Sequence, residues 1–342
     1  MTRYTFGRTI PSALAGAALV LGAQSATAGG HLGEITVAYF LEWPMPFQYA
    51  KVQGTYEEEM GVSINWVAFD TGTAMSAAMA SGDVHLSVSQ GVPPFVVATS
   101  AGQDLQIVDV AVSYAENDNC VVADQLGIDK TNAADLEGKR VAVPIGTAAH
   151  YGFLKQMEHF DVDITTMEIV DMPPAEGQTA FAQGNLDMVC GWGGALRRMK
   201  EDGNVLLTGA EKEELGILVF DVTSAPAAFV AENPDLVASF LKVTADANEM
   251  WNSGEGVEEM LPVIAEDSGM SIEDTEATIS TFVFPGVSDQ LSERWLGGAA
   301  QEFMLGVANI FVEAGSIPSA RDSYESAVEL GPLQSVAESG GS

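Results

Sequence analysis

From residue 35 onward, short apolar runs rich in β-branched residues alternate with Ala-rich stretches whose apolar positions recur every three or four residues. The first pattern predicts strands at Ile35–Phe40, Ser63–Phe69, Val84–Ser89, Leu105–Val112, Cys120–Ala123, Arg140–Pro144, Met167–Val170, Leu186–Cys190 and Val205–Leu207. The second predicts helices between many of them: Thr73–Ala80, Pro94–Ser100, Ala148–Phe160, Ala175–Gln183 and Ala195–Lys200. Such alternation implies α/β architecture with mainly parallel sheets covered by helices. The pattern changes at Asn233-Pro234, which reads as a helix cap followed by proline at the first helical position. Helices are then expected at Asp235–Asn252, Val257–Ser268, Ser271–Thr281 and Ser292–Ala314, with a capping-box pattern at Ser271 and Asp274.

One segment recurs. Ala80-Ser81-Gly82-Asp83-Val84-His85-Leu86 ends a helix, turns on glycine and enters a strand; Ala182-Gln183-Gly184-Asn185-Leu186-Asp187-Met188 does the same. Gly82 and Gly184 stand where a helix end favours a left-handed residue. Such junctions also arise by chance in α/β chains, but here each strand leads into a loop of unusual composition, Gln90–Pro94 and Gly191–Gly194. Ligands of open α/β sheets bind beyond the carboxyl ends of strands, so two such loops facing each other would form a cleft.

The first 28 residues carry a different signal. Arg3 and Arg8 precede an apolar run from Ile10 to Leu21, and Ala26-Thr27-Ala28 is an A-x-A cleavage site. Residues 1–28 are therefore expected to be a cleaved signal peptide, and the run is too short to span a bilayer. No Cys stands at the cleavage point for a lipid anchor. Without the leader, 12 basic residues face 48 acidic ones, a net charge of −36. That balance opposes nucleic-acid binding and docking on anionic lipid. It suits a strongly hydrated, self-repelling surface of the salt-adapted kind. A soluble monomer of an oxidising compartment, the bacterial periplasm, is expected.

Catalytic signatures are absent: the sequence has no G-x-S-x-G elbow, P-loop, H-E-x-x-H or C-x-x-C motif, and its four histidines are scattered. No cofactor and no metal is expected, and a binding module, not an enzyme, is the leading class. Three places are candidates for ligand contact on their residues alone. Glu42 and Trp43 follow the first strand and could clamp an ammonium group by charge and ring face; the alternative is a packed Trp beside a solvated Glu. Trp192 sits among glycines that give a large ring little local cover, which favours a cleft wall. Thr147 precedes a helix start whose hydroxyl and free N–H groups suit an oxyanion, a role compatible with plain capping. Arg197 and Arg198 read as a solvated helix face.

The stretches Ile64–Gly72, Ala80–Val84, Leu136–Pro144, His150-Tyr151, Glu168–Val170, Pro173-Pro174, Gly184–Trp192, Asp202–Leu206 and Asp221 to Pro234 occur in one order. In these the chain resembles the taurine-binding proteins of bacterial ABC importers, whose superfamily also holds binders of aliphatic sulfonates, nitrate and thiamine-precursor pyrimidines. The resemblance implies a bilobed periplasmic-binding-protein fold (type II, two crossings) with a C-terminal helical tail. It implies a discontinuous lobe I at 29–113 and 221–342, and lobe II at 114–220. It further implies a small zwitterionic sulfonate as ligand, taurine first, and an inner-membrane ABC permease as partner. The alternatives are another organosulfonate, an amine, a pyrimidine, or an enzyme on this fold.

On the same resemblance Asp221, in an apolar run near the second crossing, takes the ligand's ammonium, and His150 and Tyr151 match the family's His-Tyr. Gln90, where the family carries small residues, is also a candidate. Cys120 would open the first strand of lobe II, and Cys190 ends the strand leading to Trp192. In a parallel sheet the two could be neighbours, which leaves either a disulfide or two buried thiols.

Overall fold

The computed structural model describes residues 32–340, so the expected leader at 1–28 lies outside the described residues. Ten strands form two five-stranded sheets. They are β1 (Glu34–Tyr39), β2 (Ser63–Ala68), β3 (Leu86–Gly91), β4 (Leu105–Ser113), β5 (Asp118–Ala123), β6 (Arg140–Val143), β7 (Glu168–Asp171), β8 (Met188–Trp192), β9 (Gly203–Val205) and β10 (Phe220–Pro226). The orders are β2-β1-β3-β10-β4 and β7-β6-β8-β5-β9.

The two sheets follow one plan. In each, the strand at the second position lies between two parallel neighbours, β1 between β2 and β3, β6 between β7 and β8. In each, the fourth position is an antiparallel strand, β10 or β5. The repeated helix-Gly-strand segment leads into β3 and β8, the same position of the two sheets, and Gly82 and Gly184 both have left-handed backbone, φ +83 and +74. The expectation of mainly parallel sheets is corrected: both are mixed. A parallel neighbour needs a crossover of about a dozen residues. β5 instead begins only a short 3-10 turn (Ala115–Asn117) after β4, as the chain passes from one sheet to the other. β10, which the sequence reading missed, returns the chain to the first sheet; its Asp221, Thr223 and Ser224 are polar yet buried, so no apolar alternation marks it.

The C-terminal helices pack on the first sheet. The backbone of Val283 pairs with Ser113, and Gln290 accepts from the Val110 N–H at 2.8 Å. One local expectation is corrected here and one is refined. The helix expected at Ser292–Ala314 covers only Ala299–Glu313, because Gly297 and Gly298 leave 291–298 in turns. Asn233 stands at the N-cap of the helix Pro234–Asn252 with proline after it, as expected, but its side chain makes no cap bond: the amide donates back to the Phe229 carbonyl at 3.0 Å. Ser271 does cap its helix, accepting from Asp274 N at 3.1 Å. Among the described residues no helix is long and apolar enough to cross a membrane.

The cysteine alternative resolves as a disulfide between Cys120 and Cys190. The two face each other across antiparallel β5 and β8, not parallel strands. The bond thus ties the strand that enters the second sheet to the strand that presents Trp192.

Candidate functional site

Strand ends of both sheets converge on a small cavity. From the first sheet come Phe40 and Trp43 after β1, Gly91 at the end of β3, Tyr114 after β4, and Asp221 on β10. From the second come Trp192 at the end of β8 and the Thr147-Ala148 helix start after β6.

Asp221 is the ionisable centre. It is 2% exposed, and both carboxylate oxygens accept from hydroxyls: Ser89 Oγ donates to Oδ2 at 2.8 Å and Tyr114 Oη donates to Oδ1. Trp43 Nε1 donates to Ser89 Oγ at 2.7 Å, so the indole's one polar atom is spent on holding that hydroxyl. Burial pushes the Asp221 carboxyl up to about 8, against the pull of Tyr114 and Ser89 and with the charge of Asp118 adding to the rise. Asp118 is itself pushed up to about 7 by burial, with Lys212 opposing. A buried carboxylate with hydroxyl partners but no cation is incompletely compensated, and an arriving cation would stabilise its charged form. Gly91 packs closely here: a Cβ would lie 3.4 Å from Asp221 Oδ1 and 3.3 Å from Pro94.

No Lys or Arg lines this cavity. Its capacity for an anion lies in helix starts. Gly72 begins the helix Gly72–Ser81, capped by Thr71 Oγ1 accepting from Ala74 N at 3.2 Å. Ala148 begins the helix Ala148–His159, capped by Thr147. First-turn N–H groups have no partner within the helix and carry its positive dipole end. The helix Val92–Ser100 contributes less, since Pro93 and Pro94 have no N–H. The Thr147 hydroxyl is already committed: it donates to the Pro144 carbonyl at 2.6 Å and accepts from His150 N at 3.4 Å. Its role is to fix the helix start, while the amides beyond it remain suited to an oxyanion.

The other candidates are placed differently. Gln90 is fully buried behind the cavity wall, donating to the Gly72 carbonyl at 2.8 Å and Ser76 Oγ at 2.6 Å and accepting from Ser224 Oγ at 2.6 Å. It braces the Gly72 helix start against β10. His150 and Tyr151 pack against Phe311 and Phe303 and do not line the cavity. The His150 ring accepts from Gly146 N at 3.1 Å through Nδ1, and burial draws its pKa down to about 4. Tyr151 is pushed up to about 12 by burial.

Glu42 turns away from the cavity, at φ +53, and pairs with Arg198 in a two-pronged contact of 3.0 and 2.8 Å. The expectation of a solvated Arg197–Arg198 face is thereby corrected. Arg198 bridges the two sheets through Glu42, and Arg197 pairs with Glu201 and Asp274, each at 3.1 Å. Sequence reasoning missed Phe40, Ser89, Tyr114 and Pro94. Tyr114 carried one usable signal, an aromatic closing the last strand before the crossing. Ser89 carried none, since its place depends on a left-handed φ of +63 inside β3. No group of three or more His, Cys, Asp and Glu suited to a metal occurs among the described residues.

Comparison with known proteins adds to this geometry. The NMT1/THI5-like family profile matches residues 44–278. The taurine-binding periplasmic protein of Escherichia coli (strain K12) is 26% identical over 294 residues, which are 85% of this chain and 89% of that protein. The alkanesulfonate-binding protein SsuA from Xanthomonas axonopodis pv. citri, bound to MOPS, aligns with TM-score 0.72 and 22% identity, covering 87% of this chain and 98% of that one. The periplasmic aliphatic sulphonate binding protein SsuA from Escherichia coli aligns with TM-score 0.68 and 21% identity, over 85% and 91%. The fold is that of the periplasmic binding proteins.

Proposed function

Because this chain belongs to the NMT1/THI5-like family, we propose that it is an exported substrate-binding protein of an ABC importer. It binds a small zwitterionic sulfonate, taurine first, between the two sheets and delivers it to an inner-membrane permease. The observation that carries this reading is Asp221, a buried carboxylate held by two hydroxyls in a cavity with no basic side chain. The ligand's ammonium pairs with Asp221 among the aromatic walls. Its sulfonate, anionic at every physiological pH, takes the first-turn amides at Gly72 and Ala148. Each charge meets its partner as it leaves water, which a buried ion requires. The E. coli taurine-binding relative supports taurine over other amino-sulfonates. The discontinuous lobe I (29–113 and 221–342) and lobe II (114–220) are proposed as the two bodies that close on the ligand.

Thermal unfolding of the mature protein tests the reading. A ligand at a hundred times its Kd stabilises by about 2.7 kcal/mol. Taurine is expected to raise Tm by several degrees, and ethanesulfonate, which lacks the amine, much less. Equal shifts from the two would rule out the ammonium site. Consumption of taurine on incubation would show an enzyme instead.

A further inference from the structure

A second, larger space lies outside the cavity. This groove runs between the sheets past Asp70, Pro173, Pro174 and Glu176 and along the Glu42–Arg198 pair. Phe40 and Trp192 line both spaces. Phe40 follows β1 of the first sheet and Trp192 ends β8 of the second; their ring centroids are 6.1 Å apart with planes at 58°. The two side chains therefore stand between the small cavity and a much larger groove.

The chain is pinned both before and after Trp192. Two residues before it, Cys190 is bonded to Cys120. Immediately after it, Gly193 and Gly194 press on the loop of Glu42. A Cβ at Gly193 would come within 2.6 Å of the Glu42 carbonyl oxygen and 3.2 Å of the Trp43 ring, and Gly194 N donates to that carbonyl at 3.3 Å. Arg198, on the helix that follows, grips the Glu42 carboxylate with both terminal nitrogens. The backbone that presents the Trp192 ring is thereby fixed against the loop that follows Phe40.

Building on the amino-sulfonate reading above, we propose that Phe40 and Trp192 form a partition that sets the maximum length of the ligand. On this reading taurine sits wholly on the inner side when the sheets close on it. A sulfonate with a bulky N-substituent would have to pass through the plane of the two rings into the outer groove, and is refused. Removing either ring joins the two spaces and lets the substituent extend between Asp70 and Glu176, where a positive charge on it would be welcome.

Isothermal titration of the mature wild-type protein, Trp192→Ala and Phe40→Leu with taurine and with MOPS tests this. Circular dichroism melts check that each variant folds. Wild type is expected to prefer taurine over MOPS by at least a hundredfold. Each variant should lose taurine affinity and gain MOPS affinity, so that the preference falls at least tenfold; a purely structural defect would weaken both ligands together. Trp192→Phe should retain most of the preference. Phe40→Leu, in the other sheet and away from the disulfide, decides the matter if Trp192→Ala does not fold. Wild type binding MOPS within tenfold of taurine, or an unchanged preference in the folded variants, overturns the partition and leaves the amino-sulfonate reading standing. Failure of wild type to bind any amino-sulfonate overturns that reading and the partition with it.

Discussion

Asp221 makes the site sensitive to pH, and the sign can be worked out. Its carboxyl is pushed up to about 8 in the unliganded protein, chiefly by burial, so at pH 7 the empty site is mostly protonated. Pairing with an ammonium requires the ionised form, so binding releases a proton. Taurine affinity should rise by up to about tenfold per pH unit as pH approaches 8, then level off. The same raised pKa makes Asp221 a group whose folded state binds more protons than the unfolded one above its ordinary value of 3.8. Its contribution to stability therefore falls as pH rises from about 4 to 8. Calorimetry in buffers of different ionisation enthalpy measures the proton released, and Asp221→Asn should abolish its share. Affinity independent of pH between 6 and 8 would contradict the account. Asp221 could be singled out in the sequence because a carboxylate inside an apolar run needs a partner. The partners themselves could not: Ser89 and Tyr114 reach it over 132 and 107 residues. The partner of Glu42 was hidden in the same way, since Arg198 lies 156 residues away.

At the scale of elements, the disulfide joins β5 to β8 and closes a loop of 70 residues. On the chain-entropy account, such a loop restricts the unfolded state by about 4 kcal/mol before native strain is subtracted. The Cys120→Ser/Cys190→Ser double variant should therefore unfold at distinctly lower denaturant, with a changed m-value as its unfolded state expands. Urea titration with both quantities fitted checks this; an unchanged midpoint would show that the bond adds nothing. The inner parallel strands β1, β6 and β8 were legible because they are buried over most of their length and their apolar runs are nearly continuous. β10 was not, because it carries buried polar residues: Asp221, Thr223 and Ser224, whose partners come from β3 and β4. The helix start at Ala299 was missed for a local reason, the turns imposed by Gly297 and Gly298.

The whole molecule is two copies of one sheet plan, each ending in a loop that faces the other, and the repeated helix-Gly-strand segment announced that much. The pairing of the two halves was not announced. It rests on contacts such as Glu42–Arg198 and Arg197–Asp274, each joining residues far apart in the chain. Between the halves lies a cavity with one buried carboxylate, aromatic walls and helix starts, and no basic side chain. The central claim is that this cavity reads the amine of a small sulfonate through Asp221. Its most direct test is isothermal titration of wild type and Asp221→Asn with taurine and ethanesulfonate. The account predicts that wild type prefers taurine by at least tenfold and that the Asn variant loses that preference, because ethanesulfonate has no amine to lose its partner. A preference for taurine that survives the substitution would contradict it.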